Sequence, residues 1–254
     1  MERREFLAAA GVGTLGALAG CAGAIGAVAP PTVPRDRLER GGWELQSESQ
    51  RTVFEEQYGP VTVTAKAHSL TYSDVALRRT IAERTLGRVD GRIALFAATR
   101  IQFDPDLADV PLVRDAVLDR TESAARDRFV ERMRAAGLQS VERTDTGTFQ
   151  VETGETARAT TYAAEFPVSD IAFQVAEGAS ITVPVSPLAV EGSLAVWAHG
   201  GSVLVAGGAY PAENVSTTVT ETLTSAISVT VDVDLGLRPD EYRSEVHSLM
   251  RSVR

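Results

Sequence analysis

The side chains of this chain that could carry chemistry are few and widely spaced. There are three histidines, His68, His199 and His247, one cysteine, Cys21, and one asparagine, Asn214. No two histidines stand at a metal-ligand spacing, and one cysteine can neither close a disulfide within the chain nor build a Cys/His zinc site. His199-Gly200-Gly201 could offer backbone N–H groups to a developing oxyanion. Acyl transfer of that kind needs a Gly-x-Ser-x-Gly nucleophile turn, and none exists here. Two glycines between alternating apolar runs are instead what a two-residue hairpin turn requires. Asp232-Val233-Asp234-Leu235-Gly236 begins like a calcium loop but lacks its third acid and closing glutamate. Alternation with Val231, Val233 and Leu235 puts both aspartates on the wet face of a strand. Asp104, Asp106 and Asp109, beside Pro105 and Pro111, fit a turn and a helix start. With no phosphate loop and no dinucleotide fingerprint, these patterns identify no catalytic, cofactor-binding or metal-ligating residue, and no cofactor.

The N-terminus carries a plainer message. Met1-Glu2-Arg3-Arg4-Glu5-Phe6-Leu7 opens the chain, an Ala/Gly-rich apolar stretch too short to span a bilayer follows, and Leu18-Ala19-Gly20-Cys21 ends it. Arg3-Arg4 before Phe6-Leu7 resembles the twin-arginine export signal. Leu18 to Cys21 resembles a lipobox, in which cleavage before the cysteine leaves it as a lipidated N-terminus. The resemblance implies a signal peptide over residues 1–20, export in the folded state, and attachment to the membrane through lipid on Cys21. Residues 21–42, Ala/Gly/Pro-rich and then charged, read as a tether, with packing expected from Trp43 and one domain over residues 43–254.

Composition narrows the setting. The net charge is −9, which argues against nucleic acid as a partner. Among 25 basic residues only Lys66 is lysine. Acid excess, a single lysine and a twin-arginine lipobox signal together are similar to exported surface lipoproteins of halophilic archaea, of an uncharacterised family. For an exported protein the sequon Asn214-Val215-Ser216 makes Asn214 a candidate N-glycosylation site. The same residue could equally cap a helix beginning at Val215.

Period-two alternation gives a strand over Val61 to Ala67, turned at Tyr58-Gly59-Pro60 from an earlier strand near Thr52 to Gln57. Asp74 to Leu86 is a candidate helix capped by Ser73 or Asp74. Asp90-Gly91 suggests a turn into a long strand over residues 93–103. Helical spacing is clearest from Pro111 to Ala136, with Gly137 as its C-cap and Leu138 folding back. Its charges, among them Asp127, Arg128, Glu131 and Arg132, are read as a solvated face. Strands follow over Leu138 to Val151 and Ala157 to Val168, then a hairpin, Ser193 to Tyr210, about Gly200-Gly201. Val215, Val219 and Leu223, four apart, suggest a Thr-rich helix. Ile227 to Leu235 alternates as a strand, and Pro239 to the C-terminus reads as an amphipathic helix.

Clustered strands without strict βαβ alternation predict an α+β fold, a mostly antiparallel sheet flanked by helices in a single domain. From about residue 126 to 235 the order of elements resembles the Mog1/PsbP-like fold. The histidines are expected at surface or boundary positions, His68 on the polar face beside Lys66. The functional expectation is a cell-surface lipoprotein that binds a small ligand or an envelope protein without catalysis. The alternative is an extracellular hydrolase, with His68 or His199 beside a carboxylate.

Overall fold

The computed structural model describes residues 27–85, 87, 93–176, 179–224 and 227–254. Its elements are α1 (Arg35–Arg40), β1 (Trp43–Tyr58), β2 (Val61–Asp74), α2 (Val75–Arg84), β3 (Leu95–Asp104), α3 (Arg114–Ala135), β4 (Gln139–Gln150), β5 (Thr156–Phe166), β6 (Ile171–Ala176), β7 (Ala179–Val183), β8 (Leu188–His199), β9 (Ser202–Pro211), β10 (Ser216–Thr224), β11 (Ile227–Asp234) and α4 (Pro239–Ser252). Seven strands form one antiparallel sheet in the order β1-β2-β3-β9-β8-β5-β4, while β6 with β7 and β10 with β11 make small hairpins. This is the α+β architecture expected, an antiparallel sheet flanked by helices.

Local signals account for most boundaries. Gly200 and Gly201, at φ +54° and +77°, make the tight turn between β8 and β9. The Asp74 carboxylate accepts the Leu77 N–H at 2.8 Å and so caps α2. Past α3, Gly137 turns to φ +92° and the Leu138 N–H reaches the Met133 carbonyl, burying Leu138 against the last turn. In α4, Pro239 opens the helix and Val246, Leu249 and Met250 form its buried stripe. The turn read at Asp90-Gly91 lies outside the described residues.

Three expectations are corrected. Residues 216–224 are strand, not helix: Val219 pairs with Val231 and Thr220 with Thr230 across β10 and β11. A spacing of four is close to one helical turn and also twice the strand period, so Val215, Val219 and Leu223 could not tell the two apart. The β-branched threonines decide it, with Thr220 and Thr222 hydroxyls bonded to Thr230 and Ser228 at 3.0 and 3.3 Å. Packing also begins before Trp43. Val28 and Leu38 are buried, and Thr32 exchanges two backbone hydrogen bonds with Arg254. The third is an omission: the β6–β7 hairpin was not anticipated, although Ile171 to Val175 and Ser180 to Val183 alternate.

Alternate strand residues face opposite sides of the sheet. On one side Gly192 and Gly207 admit Met133 and Phe129 of α3 directly onto β8 and β9. On the other, α4 lies against β9, where a Cβ at Gly208 would come 2.6 Å from Val246 Cγ1 and 2.9 Å from the Leu95 carbonyl oxygen. Gly208→Ala is therefore expected to cost about 1–3 kcal/mol by overpacking, more than the roughly 0.4–1 kcal/mol returned by a stiffer unfolded chain. Urea unfolding measures the loss. In a Val246→Ala background the penalty should shrink, and an unchanged penalty would mean that α4 does not press on this glycine.

Candidate functional site

A helix is about 10 Å across and neighbouring strands lie about 4.8 Å apart, so one helix covers two or three strands. Among the described residues α3 packs most closely on β4, β8 and β9 and reaches β1 where Arg120 meets Glu56, leaving a gap between its C-terminal half and β1, β2 and β3. The result is a cavity of about 690 Å³. Ala67, Ser69, Ala97, Thr99 and Gly207 make a floor of small residues, and Phe129, Met133, Phe166 and Leu194 make an apolar wall. The volume lies within the range of small-molecule sites.

The lining toward β1 is different in kind. Arg51 of β1 and Arg128 and Arg132 of α3 all border the cavity. Burial, then the Arg128 charge, lowers the Arg51 guanidinium from its ordinary value; burial, then Arg51 and Arg128, does the same to Arg132. Arg128 is bonded to Glu131 at 2.7 Å. Neither Arg51 nor Arg132 has a carboxylate within 4 Å among the described residues. The expectation that Arg128 and Arg132 belong to a solvated face is thus corrected for Arg132, which is half-buried over the cleft. The signal available in the sequence was a like-charged pair one helical turn apart, Arg128 and Arg132, in a chain rich in acid.

The histidines sit in built environments. His68, expected on a wet face, is buried: its Nδ1 lies 2.7 Å from the Val28 carbonyl oxygen and its Nε2 2.6 Å from Glu48. The N-terminal segment covers it, a long-range contact that period-two patterning does not report. His199 pairs with Glu155 at 2.6 Å beside the Gly200-Gly201 turn. His247 Nε2 lies 3.2 Å from Ser193 Oγ, next to Tyr210, Glu191 and Arg243. Burial, then Arg251, lowers the His247 imidazole, and burial and Glu191 push the Tyr210 phenol up to about 12. Ser193 is itself buried, and neither it nor His247 lines either cavity described here. The group fastens α4 to the sheet by hydrogen bonds.

Cys21, Arg3 and Arg4 lie outside the described residues. Asn214 is exposed and precedes a strand, so its helix-cap reading falls. Its Nδ2 donates to Asp234 at 2.8 Å and its Oδ1 accepts the Leu237 N–H at 2.8 Å. Asp232 accepts from Thr218 on the exposed strand face, and Asp106 accepts the Ala108 N–H in a turn. No cluster of three or more metal-ligating side chains occurs among the described residues.

A second cavity, polar and about 830 Å³, opens between α1, α2 and α4, where Asp74 and Glu245 approach each other. Trp43 Nε1 donates to Glu245 at 2.9 Å. Burial raises both carboxyls, Asp74 to about 6 from the usual 3.8. Between these values folded Asp74 holds more proton than in the unfolded chain, so its own contribution to stability is full below about pH 4 and is lost as pH rises through about 6. Asp74→Asn keeps an N-cap. It should match the wild type near pH 4 and exceed it by on the order of 2–3 kcal/mol near pH 8, read by urea unfolding at both values. A gap independent of pH would refute the burial argument.

A family model described as Domain of unknown function (DUF6517) matches residues 30–254. No curated protein and no solved structure matches the chain. The match takes in the segment bonded to Arg254 through Thr32 and runs through α4. With nearly all of the described residues covered, the chain belongs to the DUF6517 family.

Proposed function

We propose that this protein is an exported surface lipoprotein, fixed to the membrane through lipid on Cys21, whose domain binds a small apolar ligand in the cleft beside α3. The observation that carries the binding reading is the open cavity over Ala67, Ala97, Thr99 and Gly207. A sheet face that needed only a core would fill this space with large side chains. The address rests on Arg3-Arg4 and Leu18-Ala19-Gly20-Cys21, and the haloarchaeal setting on the acid excess and the single lysine. Among the described residues no helix is long and apolar enough to cross a membrane. A protein partner in the envelope fits the same location. The hydrolase alternative would rest on His68 beside Glu48 or His199 beside Glu155, each at 2.6 Å and neither lining a cavity described here, or on Ser193 and His247, 3.2 Å apart. It is disfavoured because His68 and the Ser193 hydroxyl are buried in hydrogen-bond networks and the His199 pair stands at a hairpin turn.

Two measurements test the proposal. The neutral dye N-phenylnaphthylamine should bind saturably at one site per chain, and Ala97→Phe, which fills the cleft, should weaken it at least tenfold without loss of fold. Dye binding unaffected by Ala97→Phe would remove the cleft from the account. In the native host, Cys21→Ser should move the protein from the membrane fraction to the medium; equal membrane retention would refute the lipid anchor.

A further inference from the structure

We infer that the cleft takes a single-chain amphiphile with an anionic head, its chain over the floor of small residues and its carboxylate or phosphate on Arg51, Arg128 and Arg132. The inference rests on the reading of the cleft as a ligand site and adds the class of ligand. Its basis is missing counter-charge. The chain has 34 acidic residues against 25 basic ones, and elsewhere α3 is paired with the sheet in the ordinary way. Arg120 meets Glu56 of β1 at 2.6 Å, and Arg158 of β5 meets Glu122 at 2.7 Å. Beside the cleft the pattern reverses. Arg51 faces Arg128 and Arg132, and among the described residues Glu131, exposed and bonded to Arg128, offsets the Arg51 charge less than Arg128 opposes it.

Arg51 and Arg128 reach the cleft from its exposed rim and Arg132 is half-buried over it, and their mutual repulsion is a cost that an anion among them removes. The planar guanidinium fork matches a carboxylate or a phosphate and is stronger there than a neutral contact. The same groups border an apolar wall, Phe129, Met133 and Leu194, which a small inorganic anion would leave empty. Charge and apolar surface on opposite sides of one cavity therefore call for both properties in one molecule. A volume of about 690 Å³ suits one ligand of modest size, hence one chain.

Calorimetric titration of the folded protein with dodecanoate, dodecyl phosphate, dodecanol and inorganic phosphate, each below micelle formation, tests this. Both long-chain anions should bind at least tenfold more tightly than dodecanol, and the tighter of the two identifies the head group. Arg132→Gln and Arg51→Gln, on different elements, should each weaken the anions about tenfold and leave dodecanol unchanged. Their ligand-free unfolding midpoints should be equal to or above wild type, because a like-charge contact is lost. Dodecanol binding as tightly as the anions would overturn the anionic head while the cleft reading survives. Failure of every long-chain probe would overturn the cleft reading itself. Inorganic phosphate binding as tightly as dodecyl phosphate would overturn the amphiphile.

Discussion

The width of a seven-stranded sheet sets the problem that the rest of the molecule solves. Six spacings of about 4.8 Å make it roughly 29 Å across, and both faces carry apolar side chains that must leave water. On one face the answer is collective: α1, α2, α4 and the segment from Val28 to Pro34 share the work. On the other a single long helix, α3, is the main cover, with Leu138 and Phe166 beside it. Twenty-two residues make α3 about 33 Å long, enough to match the ten-residue strands β3 and β9 but too narrow to cover the number of strands. The cleft is the remainder of that mismatch.

Glycines determine where the mismatch falls. Gly192 and Gly207 draw α3 down onto β8 and β9, since Met133 and Phe129 occupy the space where their Cβ atoms would be. With the helix held there, the gap opens between its C-terminal half and β1, β2 and β3. The far face uses the same device at Gly208, beneath Val246. Close contact of helix and strand in the middle of the sheet thus produces a rigid seat on both faces and an open margin on one. A site of this kind is preformed by the scaffold, and its floor belongs to central strands rather than to loops.

Elements with local causes were legible in the sequence: the Gly200-Gly201 hairpin, the Gly137 cap, the Asp74 cap and the stripe of α4 each follow from a few adjacent residues. Elements that depend on distant partners were not. His68 alternates like a wet-face residue, yet Val28, forty positions away, closes over it. Val215, Val219 and Leu223 carry a period common to helix and strand, and only pairing with β11 resolves it. The cleft was illegible for a further reason. A cavity is defined by volume left unfilled, and small residues such as Ala67 and Ala97 read in sequence as ordinary strand positions. Its arginines come from two elements, so Arg128 and Arg132 resemble a solvated helix face until Arg51 is placed opposite them.

That placement bears on what the fold gives up. Arg120 with Glu56 and Arg158 with Glu122 show that the α3–sheet contact readily accommodates opposite charges. An acid at position 51 would neutralise Arg132 by the same geometry, and larger side chains at Ala67, Ala97 or Thr99 would bury more apolar surface. Both changes would favour the empty protein. Like charges and small side chains occur together beside one cavity, so the two departures from the stablest arrangement share a location. Local sacrifice of packing and of charge pairing is what the proposed binding role would ask of its scaffold. The far face, with its capped helices and closely seated α4, supplies the stability that lets this margin stay open.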